Sequence, residues 1–300
     1  MLHSVQRASP CTEVRWGASE CASCSLKNCL PFGLDDSAIA SLERIVSHRR
    51  LHRDEALFQT GAPLVHLFVV RCGQFKSIRV GAQGQQQIVS FPMTGDIMGM
   101  DAIDAQRHRC SAIALEDSEV CEIPFAGLEA LFVEHPELRR RFLRLMGDEI
   151  VRVQNVVLSL GRTRAERRLA LFLVNLSASH AARGYSASRF QLRMSRAEIA
   201  NYLGLTVESV SRLLGGFKDK GWIKVFGREL ELLDRVSIAS VASGNTEAEP
   251  IGSRVRGHDS DAGCVANFDA IHSGRHAGWR IPAPGSIPWA MRLDRATTRN

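Results

Sequence analysis

The sequence lacks long hydrophobic runs, and this absence argues against two classes of protein. The first residues, MLHSVQRASPCTEVRW, contain no run of about 7 or more apolar residues such as a secretory signal peptide needs. No stretch approaches the roughly 18 consecutive apolar residues of a membrane-spanning helix, and the densest one, LVHLFVV at 64–70, has the length of a strand. We therefore expect a cytoplasmic protein with no membrane partner, in a compartment where thiols stay reduced.

The sequence also lacks the motifs that mark most enzymes. No Ser-His-Asp set and no paired-carboxylate motif stands out among its titratable residues. We therefore expect a binding protein rather than an enzyme. The net charge of +6 permits a polyanionic partner such as nucleic acid but does not require one.

Changes in periodicity divide the chain into five segments. Short strands with turn signals and no helices between them indicate a sandwich, roll or barrel in the second segment. The last segment holds four of the ten prolines and no sustained period, which is typical of a disordered tail. The expected segments are a cysteine-rich stretch at 1–35, a β-domain at 36–135, a long helix at 136–163, a helical DNA-binding domain at 164–245 and the tail at 246–300.

The long helix carries an apolar seam with alternating spacings of four and three. The seam residues are Met146, Ile150, Val153, Val157 and Leu160. This spacing is typical of positions that pack against a partner helix. The alternative is a helix packed against its own domain. The opposite face is heavily charged, in RRRFLR and DEIVR, so we favour a homodimer.

Residues 194–232, MSRAEIANYLGLTVESVSRLLGGFKDKGWIKVFGRELEL, predict a helix-turn-helix followed by a hairpin wing. Ser195 with Glu198 three residues later is a capping box, so a helix starts there. Gly204 supplies the tight turn, and Thr206 is a candidate N-cap for the second helix. The hairpin turns at Gly227. An ordinary helical hairpin with a solvated charged face is the alternative.

The second helix has a buried face and a DNA-reading face. Residues Val207, Val210, Leu214 and Phe217 recur at helical spacing and are expected to be buried. On the other face Glu208, Ser211 and Arg212 project together. Arginine can bridge two acceptors on guanine, and glutamate can accept from the cytosine amino group. The predicted DNA-binding set is Glu208, Ser211, Arg212, Thr206, Ser209 and Lys218, the lysine holding a phosphate.

Cys21, Cys24 and Cys29 lie within nine positions and suggest a metal site. Thiolate ligands suit zinc as well as iron–sulfur clusters, so the spacing leaves both open. A redox dithiol at the first two is disfavoured because no βαβ pattern surrounds them. Cys72 and Cys110 lie in strand-like stretches and are expected to be small core residues.

Four stretches resemble the FNR branch of the CRP/FNR transcription regulators. They are NYLGLTVESVSRLLGGF in the helix-turn-helix, SEVCEIPF at 118–125, LRLMGDEI at 143–150 and CLPFGL at 29–34. The resemblance implies an α+β fold with an N-terminal β-roll (double-stranded β-helix) sensor, a long dimerisation helix and a C-terminal winged helix-turn-helix. It does not cover the tail.

The same resemblance implies a function. A [4Fe-4S] cluster would be held by Cys21, Cys24, Cys29 and Cys121, and oxygen would degrade it, loosen the dimer and release DNA. Glu208, Ser211 and Arg212 would read a TTGAT-type half-site in a palindromic operator. RNA polymerase is the implied partner, contacted by sensor loops such as residues 81–87.

Two departures from the family pattern carry hypotheses. Four residues separate Cys24 from Cys29, where the family usually has five, and this shorter loop could alter oxygen access. Val153 stands where the family often places a charge, so the dimer should tolerate cluster loss better than its relatives do.

An alternative has the same fold but responds to a small molecule instead of oxygen. It is a CRP-type regulator with a small-molecule effector and a structural zinc, or no metal, at the N-terminal cysteines. TGDIMGMDAI, with Arg109 and Ser111, faintly resembles a phosphate-binding turn. Asp96 stands there in place of the glutamate that cyclic-nucleotide binders usually carry, which disfavours this alternative.

Overall fold

The computed structural model describes residues 34–160 and 164–244, with side chains up to Gln154 in the first range. The predictions for Cys21, Cys24 and Cys29, and for the tail from 246, lie outside the described residues. Among the described helices, none is long and apolar enough to cross a membrane.

The N-terminal part is a β-roll of two four-stranded antiparallel sheets flanked by helices. One sheet has the order β1-β8-β3-β6 and the other β2-β7-β4-β5. The strands are β1 Ser47–Leu51, β2 Ala56–Phe58, β3 His66–Cys72, β4 Phe75–Val80, β5 Gln86–Ser90, β6 Ile97–Met98, β7 Ser111–Ala114 and β8 Ser118–Pro124. Helix α1 spans Asp36–Ile45 and α2 spans Phe125–Glu134.

Strand β3 explains the densest apolar run of the sequence. Phe68 and Val70 point into the core between the two sheets, where they meet Phe75 of β4. Leu67 and Val69 point the other way and pack against the helices that cover the sheet. A strand buried on both faces reads as a continuous hydrophobic run rather than an alternating one.

Helix α3, Pro136–Leu160, leaves the roll after α2. Proline at the first helical position matches the preset backbone angle there, as the sequence predicts for Pro136. Leu138 and Phe142 are buried with α2 and anchor the first two turns of α3 on the roll.

The C-terminal domain is a helix-turn-helix with a three-stranded sheet of order β10-β11-β9. Its elements are α4 Ala165–Ala182, β9 Arg189–Gln191, α5 Arg196–Leu203, α6 Val207–Asp219, β10 Ile223–Phe226, β11 Glu229–Leu232 and α7 Arg235–Ser243. Helices α1 and α7 are not predicted by the sequence patterns used above. Helix α7 packs on α4, and its C-terminal carbonyl of Ala242 accepts from Arg167 Nε at 2.8 Å.

Local signals set the bounds of α5 and α6 as predicted. Ser195 accepts from the Glu198 backbone while the Glu198 side chain accepts from the Ser195 backbone, which is the capping box. Gly204 ends α5 with φ of 62°, a left-handed conformation that glycine adopts without steric cost. Thr206 caps α6 through the Ser209 N–H at 3.1 Å.

The buried face of α6 is predicted correctly at three of four positions. Val210, Leu214 and Phe217 are buried, but Val207 is 47% exposed, so the prediction that it is buried is wrong. Val207 is the first residue of the helix, where helical spacing does not ensure that another element covers the side chain.

Candidate nucleic-acid interface and sensor site

The predicted reading face of α6 is exposed. The Arg212 guanidinium pairs with the Glu208 carboxylate one turn earlier, and both side chains are largely solvent-exposed. Ser211 Oγ donates to the Val207 carbonyl at 2.9 Å. A carboxylate, a hydroxyl and a guanidinium therefore lie side by side on the exposed face of α6, opposite the buried residues.

The lysines that follow have different roles. Lys218 is exposed in the last turn of α6. Lys220 instead pairs with Glu166 at 2.9 Å and lies 4.4 Å from the centre of the Trp222 ring, so it helps tie α6 to α4. Ser209 shares a hydrogen bond of 2.8 Å with the Thr206 hydroxyl and belongs to the N-terminal cap of the helix.

Strand β8 places Cys121 at the centre of a sheet, 8% exposed. It is flanked by His48 on β1 and Val69 on β3. The Cys121 sulfur lies 3.6 Å from His48 Nδ1. Sequence reasoning missed His48, because its pairing with Cys121 depends on strand register rather than on local pattern.

Glu119 lies two residues before Cys121, on the same face of β8, and is buried. The Arg71 guanidinium donates to the Glu119 carboxylate at 2.7 Å, and the Arg50 guanidinium lies 3.8 Å from the same carboxylate. His48 is also 3.8 Å from it. Burial lowers the pKa of His48, the Arg71 charge lowers it further, and Glu119 opposes both. Cys121 therefore adjoins an imidazole whose pKa lies below its usual value, with burial as the main cause.

Cys121 is the one member of the proposed ligand set that the described residues include. Within that part of the chain no group of three or more metal-ligating side chains occurs. Cys110 is half-buried, and burial together with the Asp101 charge raises the pKa of its thiol to about 11. That thiol stays neutral and is a poor metal ligand, because metals bind the thiolate.

The turn that resembles a phosphate site is filled by the chain's own carboxylate. Asp101 accepts from the backbone N–H of Arg109 at 2.7 Å and of Cys110 at 2.9 Å. The Arg109 guanidinium pairs with Asp104, and the Ser111 hydroxyl accepts from the Thr60 N–H at 2.9 Å. An incoming phosphate would have to displace Asp101, so the geometry disfavours a cyclic nucleotide here.

Comparison with known proteins decides the family. A model of the Crp-like helix-turn-helix domain matches residues 167–239, and one of the cyclic nucleotide-binding domain matches residues 48–135. The "Anaerobic regulatory protein" of Pasteurella multocida is 41% identical over 232 residues, covering 77% of this chain and 85% of that protein. The "Fumarate and nitrate reduction regulatory protein" of Vibrio cholerae is 39% identical over 234 residues, covering 77% and 94%.

The chain belongs to the CRP/FNR family of transcription regulators. Among solved structures, FixK2 from Bradyrhizobium japonicum superposes with a TM-score of 0.61 at 27% identity, covering 66% of this chain and 97% of that one. The family and the α+β fold expected from the sequence are thereby confirmed. This CRP/FNR protein is a DNA-binding transcription regulator rather than an enzyme, and its curated relatives are named for anaerobic regulation.

Proposed function

We propose that this CRP/FNR protein is an oxygen-responsive regulator that binds a TTGAT-type palindromic operator as a homodimer while a [4Fe-4S] cluster is intact. The cluster ligands are Cys21, Cys24, Cys29 and Cys121. The protein acts in the cytoplasm, where RNA polymerase is its second partner. The observation that carries the DNA-binding part is the exposed trio Glu208, Ser211 and Arg212 on α6.

Two observations support the cluster. The relatives' names refer to anaerobic regulation, and the described ligand Cys121 has a setting that suits a thiolate. The His48 Nδ1 at 3.6 Å can donate a hydrogen bond to a ligating sulfur. When bound, the cluster supplies an oxygen-labile link between the N-terminal cysteines and this strand.

The dimer is supported by exposed apolar residues on α3. Ile150 and Val153 are 56% and 51% exposed, which is costly for two neighbouring seam positions unless another surface covers them. Met146 is half-buried and packs partly against its own roll. The side chains of Val157 and Leu160 lie outside the described residues. The proposed contact with RNA polymerase at 81–87 covers the exposed loop between β4 and β5 and the first two residues of β5.

Anaerobic purification of the native protein and Cys121→Ser tests the proposal. We expect native protein to be brown, with about four iron atoms per chain, as a four-thiolate cubane requires. Cys121→Ser should lose the iron and the operator affinity together. Cys110→Ser is the matched control, because it removes a half-buried thiol outside the ligand set, and it should keep both.

The same preparations decide between iron and the alternatives. Colourless native protein containing zinc would favour the regulator with a structural zinc. Protein with neither metal, or Cys121→Ser with full operator affinity and an unchanged response to air, would overturn the cluster proposal. Operator binding would then need another signal, and the family assignment would stand.

A further inference from the structure

The amide side chain of Asn201 on helix α5 makes two hydrogen bonds to the edge of the β-roll. Strand β5 is an edge strand of its sheet. Asn201 Oδ1 accepts from the Ile88 N–H at 2.6 Å, and Asn201 Nδ2 donates to the Gln86 carbonyl at 2.9 Å. One amide thus supplies the acceptor and the donor that a neighbouring strand would supply. The backbone groups at an open strand edge otherwise have no protein partner. Because the amide needs one N–H and one carbonyl at the right separation, it can bind β5 at this position only in this orientation.

Two more contacts surround Asn201. Lys76 of β4 lies 2.6 Å from the Glu198 carboxylate, and both side chains are mostly buried. Gln87 Nε2 donates to the Asn201 carbonyl at 2.6 Å. Glu198 also closes the capping box at the start of α5. Both ends of α5 are therefore held by the roll.

An apolar centre lies beside these polar contacts. Met93 and Leu115 of the roll are buried in the same cluster as the core of the C-terminal domain. The Phe91 ring is 5.1 Å from Tyr202 and 6.3 Å from Phe172, centre to centre. Aromatic contacts at these separations stabilise an interface beyond simple area burial.

Two ion pairs complete the rim of this interface. Arg183 at the end of α4 bonds Asp96 at 2.7 Å, and Arg193 lies 3.1 Å from Glu116. An apolar centre with a polar rim is the usual anatomy of a specific interface. The C-terminal domain is therefore seated on the roll in one orientation.

We propose that Asn201 is a positioning residue for DNA binding: it fixes α5 on strand β5 and thereby sets the direction of the recognition helix α6 relative to the sensor. Ile199 and Leu203 of α5 share a buried core with Val210 and Leu214 of α6, so α6 follows α5. The reading residues of α6 are exposed in this arrangement, so the contact orients the helix without blocking it.

Fixing α5 on the roll also affects the distance between the two recognition helices of a dimer. This part of the inference rests on the proposed dimer. If two copies pair through α3, the contact between α5 and β5 fixes the separation of their α6 helices. Dimeric helix-turn-helix proteins read half-sites one helical turn apart, so a fixed separation selects one operator spacing. A loosened contact should relax that selection while leaving each α6 able to read its own half-site.

The experiment compares full-length Asn201→Ala and Lys76→Met with the native protein. Asn201→Ala removes the amide, whereas Lys76→Met changes only the roll and leaves the helix-turn-helix intact. Arg79→Met is the matched control, because it removes the same charge from an exposed position on the same strand. One measurement is hydrogen exchange of a peptide covering 86–90. The other is affinity for a single half-site and for palindromes whose centre is lengthened or shortened by one or two base pairs.

We expect both variants to exchange faster at Ile88 and to lose about fivefold or more of the preference for the native spacing. Half-site affinity should stay as in the native protein, and Arg79→Met should match the native protein throughout. Native exchange and native spacing preference in both variants would overturn the proposal. If Asn201→Ala loses half-site affinity through misfolding, the exchange rate and the spacing preference of Lys76→Met test the proposal instead. If native protein shows no preference for palindromes, the dimer proposal fails, while exchange at Ile88 still judges the role of Asn201.

Discussion

At the scale of single residues, the proposed reading face of α6 carries an ion pair that the proposed base contacts would have to separate. The Arg212–Glu208 pair is exposed and one helical turn apart, and such pairs contribute only about 0.3–0.5 kcal/mol. Contacts with base edges are stronger, so both side chains can leave each other at little cost. The pair keeps both side chains together on the exposed face of α6 that we propose to contact DNA.

Arg212→Ala should therefore lose discrimination at one guanine rather than affinity in general. A good bidentate contact contributes about 1–3 kcal/mol of discrimination, which is about 5- to 150-fold. Lys218→Ala is the contrasting variant, since loss of a phosphate contact should weaken all sequences alike and lower the salt dependence. The affinity of each variant for operators substituted at single positions measures both the base discrimination and the general loss of affinity. An equal loss on every sequence for Arg212→Ala would reject its base-reading role.

His48→Leu should shorten the life of the proposed cluster in air. Hydrogen bonds to ligating sulfur help to set the reduction potential of a cluster, and the His48 ring lies 3.6 Å from the Cys121 sulfur. Loss of that donor should make the sulfur more electron-rich and the cluster easier to oxidise. Decay of visible absorbance after exposure to air gives the rate. His52→Leu, at an exposed position of the same region, should decay at the native rate; equal decay in all three proteins would contradict the prediction.

At the scale of elements, what could be predicted depends on how far apart the interacting residues lie in sequence. The bounds of α5 and α6 follow from Ser195, Gly204 and Thr206, whose partners are within a turn or two. The contact of Asn201 with β5 joins residues 113 apart, and no local spacing signals it. The exposure of Val207 shows the same limit, because periodicity gives a face but not where the facing elements end.

Ser195→Ala tests the local signal directly. Loss of an N-cap hydroxyl typically costs about 1 kcal/mol of folding free energy. Here the change removes the acceptor of the Glu198 backbone N–H, whereas the Ser195 backbone N–H still donates to the Glu198 carboxylate. Ser211→Ala deletes a hydroxyl that bonds only to a carbonyl of its own helix, so it should change stability by less. Urea unfolding of the two variants under one condition gives the comparison, and equal losses would count against the cap.

At the scale of the whole molecule, we expect two sets of contacts to determine together the geometry of DNA binding. Leu138 and Phe142 anchor α3 on the roll, and Asn201 with its neighbours anchors α5 on the same roll. The proposed dimer seam and the recognition helix are therefore both connected to the same β-roll. A change in how two rolls pair would then move both recognition helices together, which is the coupling that an oxygen-dependent dimer requires.

We expect Val153 to determine whether the proposed dimer persists when the proposed cluster is lost. It is an exposed apolar residue on the proposed seam, so two copies can pair there without charge repulsion, and we expect dimers in air at micromolar concentration. Val153→Asp should shift the protein to monomer, because two buried carboxylates would face each other. Val133→Asp, at an 81% exposed valine on α2, adds the same charge elsewhere and should leave the dimer intact. Sedimentation velocity measures all three, and a clean monomer for the aerated native protein would show that the apolar seam does not sustain pairing by itself.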